Sequence, residues 1–517
     1  MNMSHNKDID HLVPFKLEDS QLPAFDRHTK IIKSFFGAIN TAPPGAGKSF
    51  TTMSISYAYD YLSFIICPAN AISTWEDYVK QFNIKAIILS YNMLIGKGKS
   101  IKHNYLRRTF DNKYEATDEF KRLVNGKMLL VFDESQRAKN PKSVTCQACH
   151  TLSNVIVKTN NGSRILALSA TPIDVKPFVE SIIKLLGIIT VDKLFIYELG
   201  KKNYIMDGYG YEQLYNFCYK INPKLASEFR PTSISATLIK ESMYLLYTNI
   251  VVPTIGFTMT RPIIKSKFVG INKFFKMSKD SKETISNLLS IIKKEVNYDN
   301  GNVSYDINGI AKIIEGMKNI ELEKVPLFIR LITDVLTYVP NSKVIMYVWY
   351  DITVDILMSE LKQYNPLRCD GKVSQKIKTD NRRFFQEPNL NYRLIIAKPT
   401  SFGDCVSLHD NNSLGLKFPR FNFINPSFHF NSIVQAAGRT YRVGTVSDAT
   451  VTITYCQDTE ESNVINALSK KGTITRACTA KLLDADIYNE DVEEDDDDEY
   501  ETNDKFSFVD EWQQVTE

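Results

Sequence analysis

Short apolar runs alternate with amphipathic stretches along the first part of the chain. The apolar runs are residues 35–39, 63–67, 86–89, 128–132 and 164–168, and polar turns bound each of them. Runs of this length predict buried strands, and the longer stretches between them have the apolar spacing of helices. Alternation of strand and helix predicts a parallel α/β sheet up to about residue 190.

A second alternating block begins at residue 325. Its predicted strands are residues 343–349, 392–397, 422–424 and 449–455, with helices at 354–362 and 460–470. The stretch between the two blocks is rich in Tyr, Lys and Asn and shows helical spacing. We therefore predict an α/β fold with four parts: a first lobe at 1–190, a largely helical connector at 191–324, a second lobe at 325–485, and a tail at 486–517.

Composition adds an asymmetry of charge to this picture. The whole chain of 517 residues has 63 Lys and Arg against 59 Asp and Glu, but residues 486–517 hold 15 of the acids and one Lys. The remainder therefore has 62 basic against 44 acidic residues, a net charge of +18. A body this basic suits a polyanion such as nucleic acid, although a soluble protein with surplus Lys would look the same. The acidic tail is predicted to be disordered.

No stretch predicts a membrane span or a secretory signal. Apolar runs are too short to cross a bilayer, and residues 1–10 lack an apolar core. We expect an intracellular protein, cytoplasmic or nuclear.

The stretch Ala42–Ser49 predicts a phosphate-binding loop. Gly45 and Gly47 allow the backbone, with Ala46 between them, to direct N–H groups at an anion. Lys48 can reach the terminal phosphates of ATP, and the Ser49 hydroxyl can bind Mg²⁺. Ala42 departs from the strict pattern, which has Gly there. The alternative is an ordinary turn between strand and helix.

An acidic pair, Asp133-Glu134, follows the strand predicted at 128–132. Ligands bind at the carboxyl ends of parallel strands. One carboxylate can hold Mg²⁺ there, and the next can take a proton from the attacking water. The next strand ends in Ser169-Ala170-Thr171, whose hydroxyl groups could hydrogen-bond towards the pair.

Two arginines are candidates in the second block. Arg439 and Arg442 lie three apart on a predicted helix, and so on one face. Paired guanidinium groups can meet a γ-phosphate as arginine fingers. Two surface arginines in local ion pairs are the alternative.

Together these motifs resemble superfamily 2 helicases over about residues 12–470, and the first block is most similar to the Swi/Snf-type remodelling ATPases. The acidic motif of that family, Asp-Glu-Ala-His-Arg-x-Lys-Asn, corresponds to residues 133–140, and its Gln-x-x-Gly-Arg-x-x-Arg motif is matched throughout by residues 435–442. Asp370-Gly371 resembles a turn of the second lobe. Ser135-Gln136 replaces Ala-His, and the Ser-Leu-His-Asp at 407–410 looks like the form found in large DNA viruses.

The resemblance implies two RecA-like lobes with ATP and Mg²⁺ between them, and Gln21 as the residue that reads adenine. It also implies residues that hold the nucleic-acid backbone: Pro68, Trp75, Ser90, Tyr91, Thr400 and Ser401. The implied function is an ATP-driven translocase or helicase, on DNA in preference to RNA.

A transcription or packaging ATPase that does not separate strands is the alternative, with the acidic tail docking transcription machinery. A phosphate-loop kinase is a weaker alternative, which the paired arginines disfavour. If the protein is viral, the virion or the viral factory is its expected location.

Overall fold

A computed structural model gives the architecture of the chain. It describes residues 17–479 except 97–100, 111–112, 200–202, 232–234, 261–265, 296, 300–301, 305–306, 403–406, 443, 458 and 460. The chain divides into two compact units, the first made by the chain up to Pro262 with a segment from Ile474, the second by Ile263–Thr473. The predicted tail at 486–517 lies outside the described residues.

The strands of the first unit are β1 (Gly37–Asn40), β2 (Leu62–Cys67), β3 (Ala86–Ser90), β4 (Leu106–Arg108), β5 (Tyr114–Ala116), β6 (Met128–Asp133), β7 (Arg164–Leu168), β8 (Ile196–Glu198), β9 (Asn203–Ile205) and β10 (Gly256–Phe257). Those of the second are β11 (Phe268–Phe275), β12 (Asn297–Asp299), β13 (Asn302–Ser304), β14 (Lys343–Tyr347), β15 (Leu367–Cys369), β16 (Leu394–Ala397), β17 (Arg420–Ile424) and β18 (Ala449–Cys456).

The helices up to Pro262 are α1 (Leu22–Ser34), α2 (Lys48–Ala58), α3 (Ile72–Phe82), α4 (Tyr91–Ile95), α5 (Asp118–Asn125), α6 (Val144–Thr159), α7 (Val179–Leu185), α8 (Gly210–Ile221), α9 (Pro223–Glu228), α10 (Ala236–Leu246) and α11 (Val252–Ile255). They are followed by α12 (Lys279–Glu295), α13 (Ile307–Glu323), α14 (Val325–Tyr338), α15 (Asp351–Glu360), α16 (Gln375–Gln386), α17 (Pro399–Phe402), α18 (Phe430–Ala437) and α19 (Ser462–Ala477). Ser135–Ala138 forms a 3₁₀ turn after β6.

Each unit is built on a six-stranded sheet within the described residues. The strand order is β10-β1-β7-β6-β2-β3 in the first and β11-β18-β17-β14-β16-β15 in the second. Every pairing in these two sheets is parallel. The carboxyl ends of the strands therefore meet at one edge of each sheet, where the predicted motifs begin.

Helices cover both faces of the second sheet, which explains its continuous apolar strands. Along β14, Val344 and Met346 pack in one core cluster with Phe328 of α14, while Ile345 and Tyr347 pack in another with residues of α18. Alternate side chains point to opposite faces of a strand, so a strand covered on both faces is apolar at every position.

The predicted fold class, α/β with two parallel-sheet lobes, is confirmed. Three strands of the two large sheets were missed: β10 and β11, which fall in the range 191–324 that we predicted to be largely helical, and β15. The short strands β8, β9, β12 and β13 also fall in that range. The boundary between the units also falls inside that range, and the predicted domain limits stay predictions. No helix among the described residues is long and apolar enough to cross a membrane.

Candidate active site

The predicted phosphate loop lies between β1 and α2. Gly45 and Gly47 have φ angles of 84° and 93°, the left-handed region that only glycine adopts without strain. Gly47 is the residue before α2, so the helix begins at Lys48 and directs its N-terminus at the loop. The local sequence thus builds an anion cradle, because backbone N–H groups and the helix dipole converge there.

Lys48 folds back over this loop. Its Nζ donates to the carbonyl of Ala42 at 2.6 Å and to that of Pro43 at 3.2 Å. These carbonyls hold the ammonium group beside the cradle. Ala42 itself is fully buried, so the departure from Gly leaves the loop intact.

Gln21 packs against the same loop, as the resemblance implies for an adenine-reading residue. Its Oε1 accepts from the backbone N–H of Glu18 at 3.2 Å, and its Nε2 lies 3.5 Å from the carbonyl of Ala46. A Cβ at Gly47 would lie 2.2 Å from that Nε2. The φ angle of 93° is what requires glycine at 47, since the Gln21 amide lies at the end of a flexible side chain that could move away from a Cβ.

The acidic pair stands at the carboxyl end of β6. Asp133 is the last residue of the strand and is 8% exposed. Glu134 has φ 51° and ψ 53°, a left-handed conformation that is strained for a residue other than glycine. Backbone strain of this kind collects at functional sites, where the surrounding structure enforces it.

The surroundings raise the pKa of Asp133 to about 6. Burial is the largest cause and the charge of Glu134 the second, while the hydrogen bond from Trp75 and the charge of Lys48 act in the opposite direction. A buried carboxylate next to a second one is stabilised by a cation. The oxygen ligands that Ser49 and Asp133 offer are those Mg²⁺ prefers, and Mg²⁺ commonly takes only one or two protein carboxylates beside substrate phosphates. These residues therefore fit Mg²⁺.

Gln136 joins the acidic pair to the Ser169 motif. Its Nε2 donates to Glu134 Oε2 at 2.5 Å, and its Oε1 accepts from the Ser169 hydroxyl at 2.5 Å. The Ser169 oxygen in turn accepts from the N–H of Thr171 at 3.1 Å. An amide can donate and accept at once, so Gln136 spans both motifs, at the position where the motif it resembles has His. The sequence identified Gln136 only as a departure from the family motif and did not predict that it joins the two motifs.

The four first-lobe residues expected at nucleic acid are all buried. Ser90 caps α4 by accepting from the N–H of Met93 at 3.1 Å. Trp75 and Tyr91 instead hydrogen-bond to Asp133, through Trp75 Nε1 to Oδ2 at 2.8 Å and the Tyr91 hydroxyl to the backbone carbonyl at 2.9 Å. A direct contact of these side chains with nucleic acid stays a prediction, whereas their link to the acidic pair is visible.

The second-unit arginines do not lie on a helix, and that prediction was wrong. Helix α18 ends at Ala437, and the backbone of Gly438 no longer continues it. Arg442 bends back, donating from Nε to the Gly438 carbonyl at 3.1 Å and from Nη1 to the Ser407 hydroxyl at 2.9 Å. Ser407 opens the Ser-Leu-His-Asp segment at 407–410, for which the sequence predicted no role at this site.

The two arginines nevertheless occupy one region of their unit. Burial raises the pKa of Tyr347, and the charges of Arg439 and Arg442 both act against that shift. Both guanidinium groups therefore lie near the end of β14. Thr400 is exposed on α17, just beyond β16, while the side chain of Ser401 is outside the described residues.

Comparison with known proteins agrees with these motifs. No family model matches the chain. A protein of Acanthamoeba polyphaga mimivirus named "putative ATP-dependent RNA helicase" is 23% identical over 472 residues, which are 85% of this chain and 79% of the relative. The chain is thus similar to a viral protein named as a helicase, and the resemblance to helicases predicted from the motifs is confirmed.

Two solved structures of the Sulfolobus solfataricus SWI2/SNF2 ATPase core are also similar. One, in complex with dsDNA, has 16% identity and a TM-score of 0.31, covering 90% of this chain and 94% of its own. The other has 15% identity and a TM-score of 0.30, covering 90% of each chain.

Proposed function

We propose that the chain is an ATPase that couples ATP hydrolysis to movement along nucleic acid. The observation that carries the proposal is the connected set in the first unit: the phosphate loop, the acidic pair and the Ser169 motif, with Gln136 joining the last two by hydrogen bonds of 2.5 Å. A nucleotide-binding module without coupling would need the first of these alone.

Each residue then has a defined task. The loop with Lys48 binds the β- and γ-phosphates, and Gln21 reads the adenine edge. Ser49 and Asp133 would hold Mg²⁺, which supplies charge neutralisation on the phosphates. Glu134 takes the proton from water as the water oxygen bonds to the γ-phosphorus and the bond to the ADP oxygen breaks. Arg439 and Arg442 stabilise the negative charge that develops.

Nucleic acid is the proposed track, with DNA ahead of RNA. The resemblance of the first lobe to Swi/Snf-type ATPases, which includes Pro68 and Trp75, supports DNA, and the basic body supports a phosphate-dominated, sequence-tolerant contact. In this proposal the nucleic-acid backbone is contacted by segments 68–75 and 90–91 of the first unit. In the second unit it is contacted by Thr400 and Ser401.

The test is the ATPase rate measured against duplex DNA, single-stranded DNA and RNA of equal length, followed by strand displacement on the best stimulator. We expect stimulation by at least one polymer, falling steeply with salt. A rate that no polymer changes would overturn the coupling while leaving an ATPase. Stimulation without displacement would identify a translocase.

A further inference from the structure

Asp133 is held from two sides by side chains that lie far from it in sequence. The indole of Trp75, on α3, donates to Oδ2 at 2.8 Å, and the hydroxyl of Tyr91, at the start of α4, donates to the backbone carbonyl at 2.9 Å. Trp75 is 1% exposed and Tyr91 5% exposed. All three groups belong to the first unit.

These two hydrogen bonds fix different features of Asp133. An indole N–H only donates, so it claims one carboxylate oxygen and sets the rotation of the group, to which the backbone N–H of Glu134 also donates. The tyrosine hydroxyl instead holds the main chain immediately before Glu134, which has the left-handed φ of 51°. One bond orients the ligand, and the other supports the strained turn that carries the base.

The position of α3 shows that Trp75 does more than fill space. In this helix only Trp75 and Phe82 are buried, and the remaining residues are partly or fully exposed. The indole is therefore one of the two side chains that anchor α3 to the core of the first unit, and its N–H donates to the Asp133 carboxylate. A displacement of α3 moves the donor of that bond directly.

We propose that Trp75 and Tyr91 are positioning residues that orient Asp133 for Mg²⁺ and tie segments 68–75 and 90–91 to it. This inference rests on the proposed function, because it needs Asp133 to bind the metal. Partners of this kind set metal affinity, and their loss typically costs about 10–100-fold in affinity or activity.

The test measures binding of a fluorescent ATP analogue to the full chain, titrated with Mg²⁺ or with EDTA present. Trp75→Phe keeps an aromatic ring but loses the N–H, and Tyr91→Phe loses one oxygen atom. We expect Trp75→Phe to need about 10–100-fold more Mg²⁺ for half-maximal tightening, with metal-free binding unchanged. Tyr91→Phe should lower the ATPase kcat and leave the KM for ATP near the wild-type value.

Matched controls exist in the chain. Trp349→Phe removes an indole donor to the Asn425 carbonyl at 2.8 Å, and Tyr211→Phe removes a hydroxyl hydrogen bond to Ser242 at 2.7 Å. Both should leave the Mg²⁺ titration unchanged. If Trp75→Phe does not fold, the positioning role is tested by Tyr91→Phe alone. A kcat equal to that of the wild type would then overturn it.

The outcomes separate the two proposals. A Mg²⁺ titration of Trp75→Phe that coincides with that of Trp349→Phe overturns the positioning role while the ATPase stands. A wild-type chain whose nucleotide binding ignores Mg²⁺ overturns the metal role of Asp133 and this inference together. If nucleic acid does not change the ATPase rate but the Mg²⁺ titrations are as expected, only the proposed coupling to nucleic acid is overturned.

Discussion

Glu134 combines a strained backbone with the task of a general base. Replacement by Gln keeps its shape and the left-handed turn but removes the proton acceptor. We expect Glu134→Gln to lower ATP turnover by about 10²–10⁴-fold, the usual contribution of such a group, with nucleotide and nucleic-acid binding retained. Steady-state ATPase assays together with filter binding measure both.

Glu119→Gln is the matched control, since this carboxylate lies on α5 of the same unit and pairs with Arg122 at the surface. Its turnover should equal that of the wild type. Lys48→Ala should also lose ATP turnover, but because it binds the nucleotide less tightly. Undiminished hydrolysis in Glu134→Gln would show that another group activates water.

Gln136 tests whether hydrolysis communicates with the Ser169 motif. Gln136→Ala and Ser169→Ala each break the same chain of hydrogen bonds, so their effects on kcat should not add. We expect a coupling free energy of about 0.5–3 kcal/mol in the double-mutant cycle. Gln136→His should retain more activity than Gln136→Ala, because imidazole can also donate and accept. Independent, additive losses would contradict the bridge.

At the scale of elements, apolar runs located most strands of both sheets. The central strand β6 was predicted at 128–132 and observed at Met128–Asp133, because a strand covered on both faces is apolar throughout. Strand β11 was missed because it pairs only with β18 and mixes the half-buried Asn272 and the exposed Lys273 with its apolar residues. Edge strands lack the continuous signal of central ones.

The site was predictable where its chemistry is local. The phosphate loop and acidic pair each occupy a short segment with fixed spacing. The hydrogen bonds that organise these segments instead join residues far apart in the sequence. Trp75 lies 58 residues from Asp133, and Ser169 lies 33 residues from Gln136. No local pattern reports such contacts, since they depend on which strands become neighbours in the sheet.

A buried ion pair anchors α13 and α14 to the end of β18. Lys324 is fully buried and donates to Glu461 Oε1 at 3.0 Å and to the Thr454 carbonyl at 2.6 Å. Lys324→Met should destabilise the second unit by about 3–5 kcal/mol, because it leaves the Glu461 carboxylate buried without its cation. Urea unfolding followed by fluorescence measures this loss.

The exposed pair of Lys318 with Glu315, 2.7 Å apart on α13, provides the comparison. Lys318→Met should change stability by about 0–1 kcal/mol, as surface pairs do. Adding Glu461→Leu to Lys324→Met should recover part of the loss. Equal effects of the two lysine substitutions would mean that burial of the Lys324 pair has no energetic weight.

At the scale of the whole molecule, Arg439 is proposed to stabilise the negative charge that develops on the γ-phosphate. Arg439→Ala should then lower kcat by about 10³-fold or more, the contribution of an arginine finger, with ATP binding little changed. Arg330→Ala, an exposed arginine on α14, should be neutral. Parallel loss of binding and turnover in Arg439→Ala would identify a binding role instead.

The acidic tail is the largest charge feature of the chain, and its sequence alone supports a prediction. Removing residues 486–517 takes away 15 acids and one Lys and leaves a body of net charge +18. If the tail competes for the basic surface as a nucleic-acid mimic, truncation should tighten nucleic-acid binding most at low salt, where charges are least screened. Fluorescence anisotropy across a salt series measures this change.

A full-length variant in which Asp495, Asp496, Asp497 and Asp498 are changed to Asn distinguishes the effect of the tail's charge from that of its length. Its affinity for nucleic acid should lie between those of the full-length and the truncated protein. Identical affinities for truncated and full-length protein at low salt would exclude competition. Pull-downs with and without the tail then test the docking alternative, in which Phe506, Phe508 and Trp512 supply apolar contacts to a protein partner. A partner retained only by the full chain would place the tail in recruitment, because a tail that merely solubilises the body would bind nothing.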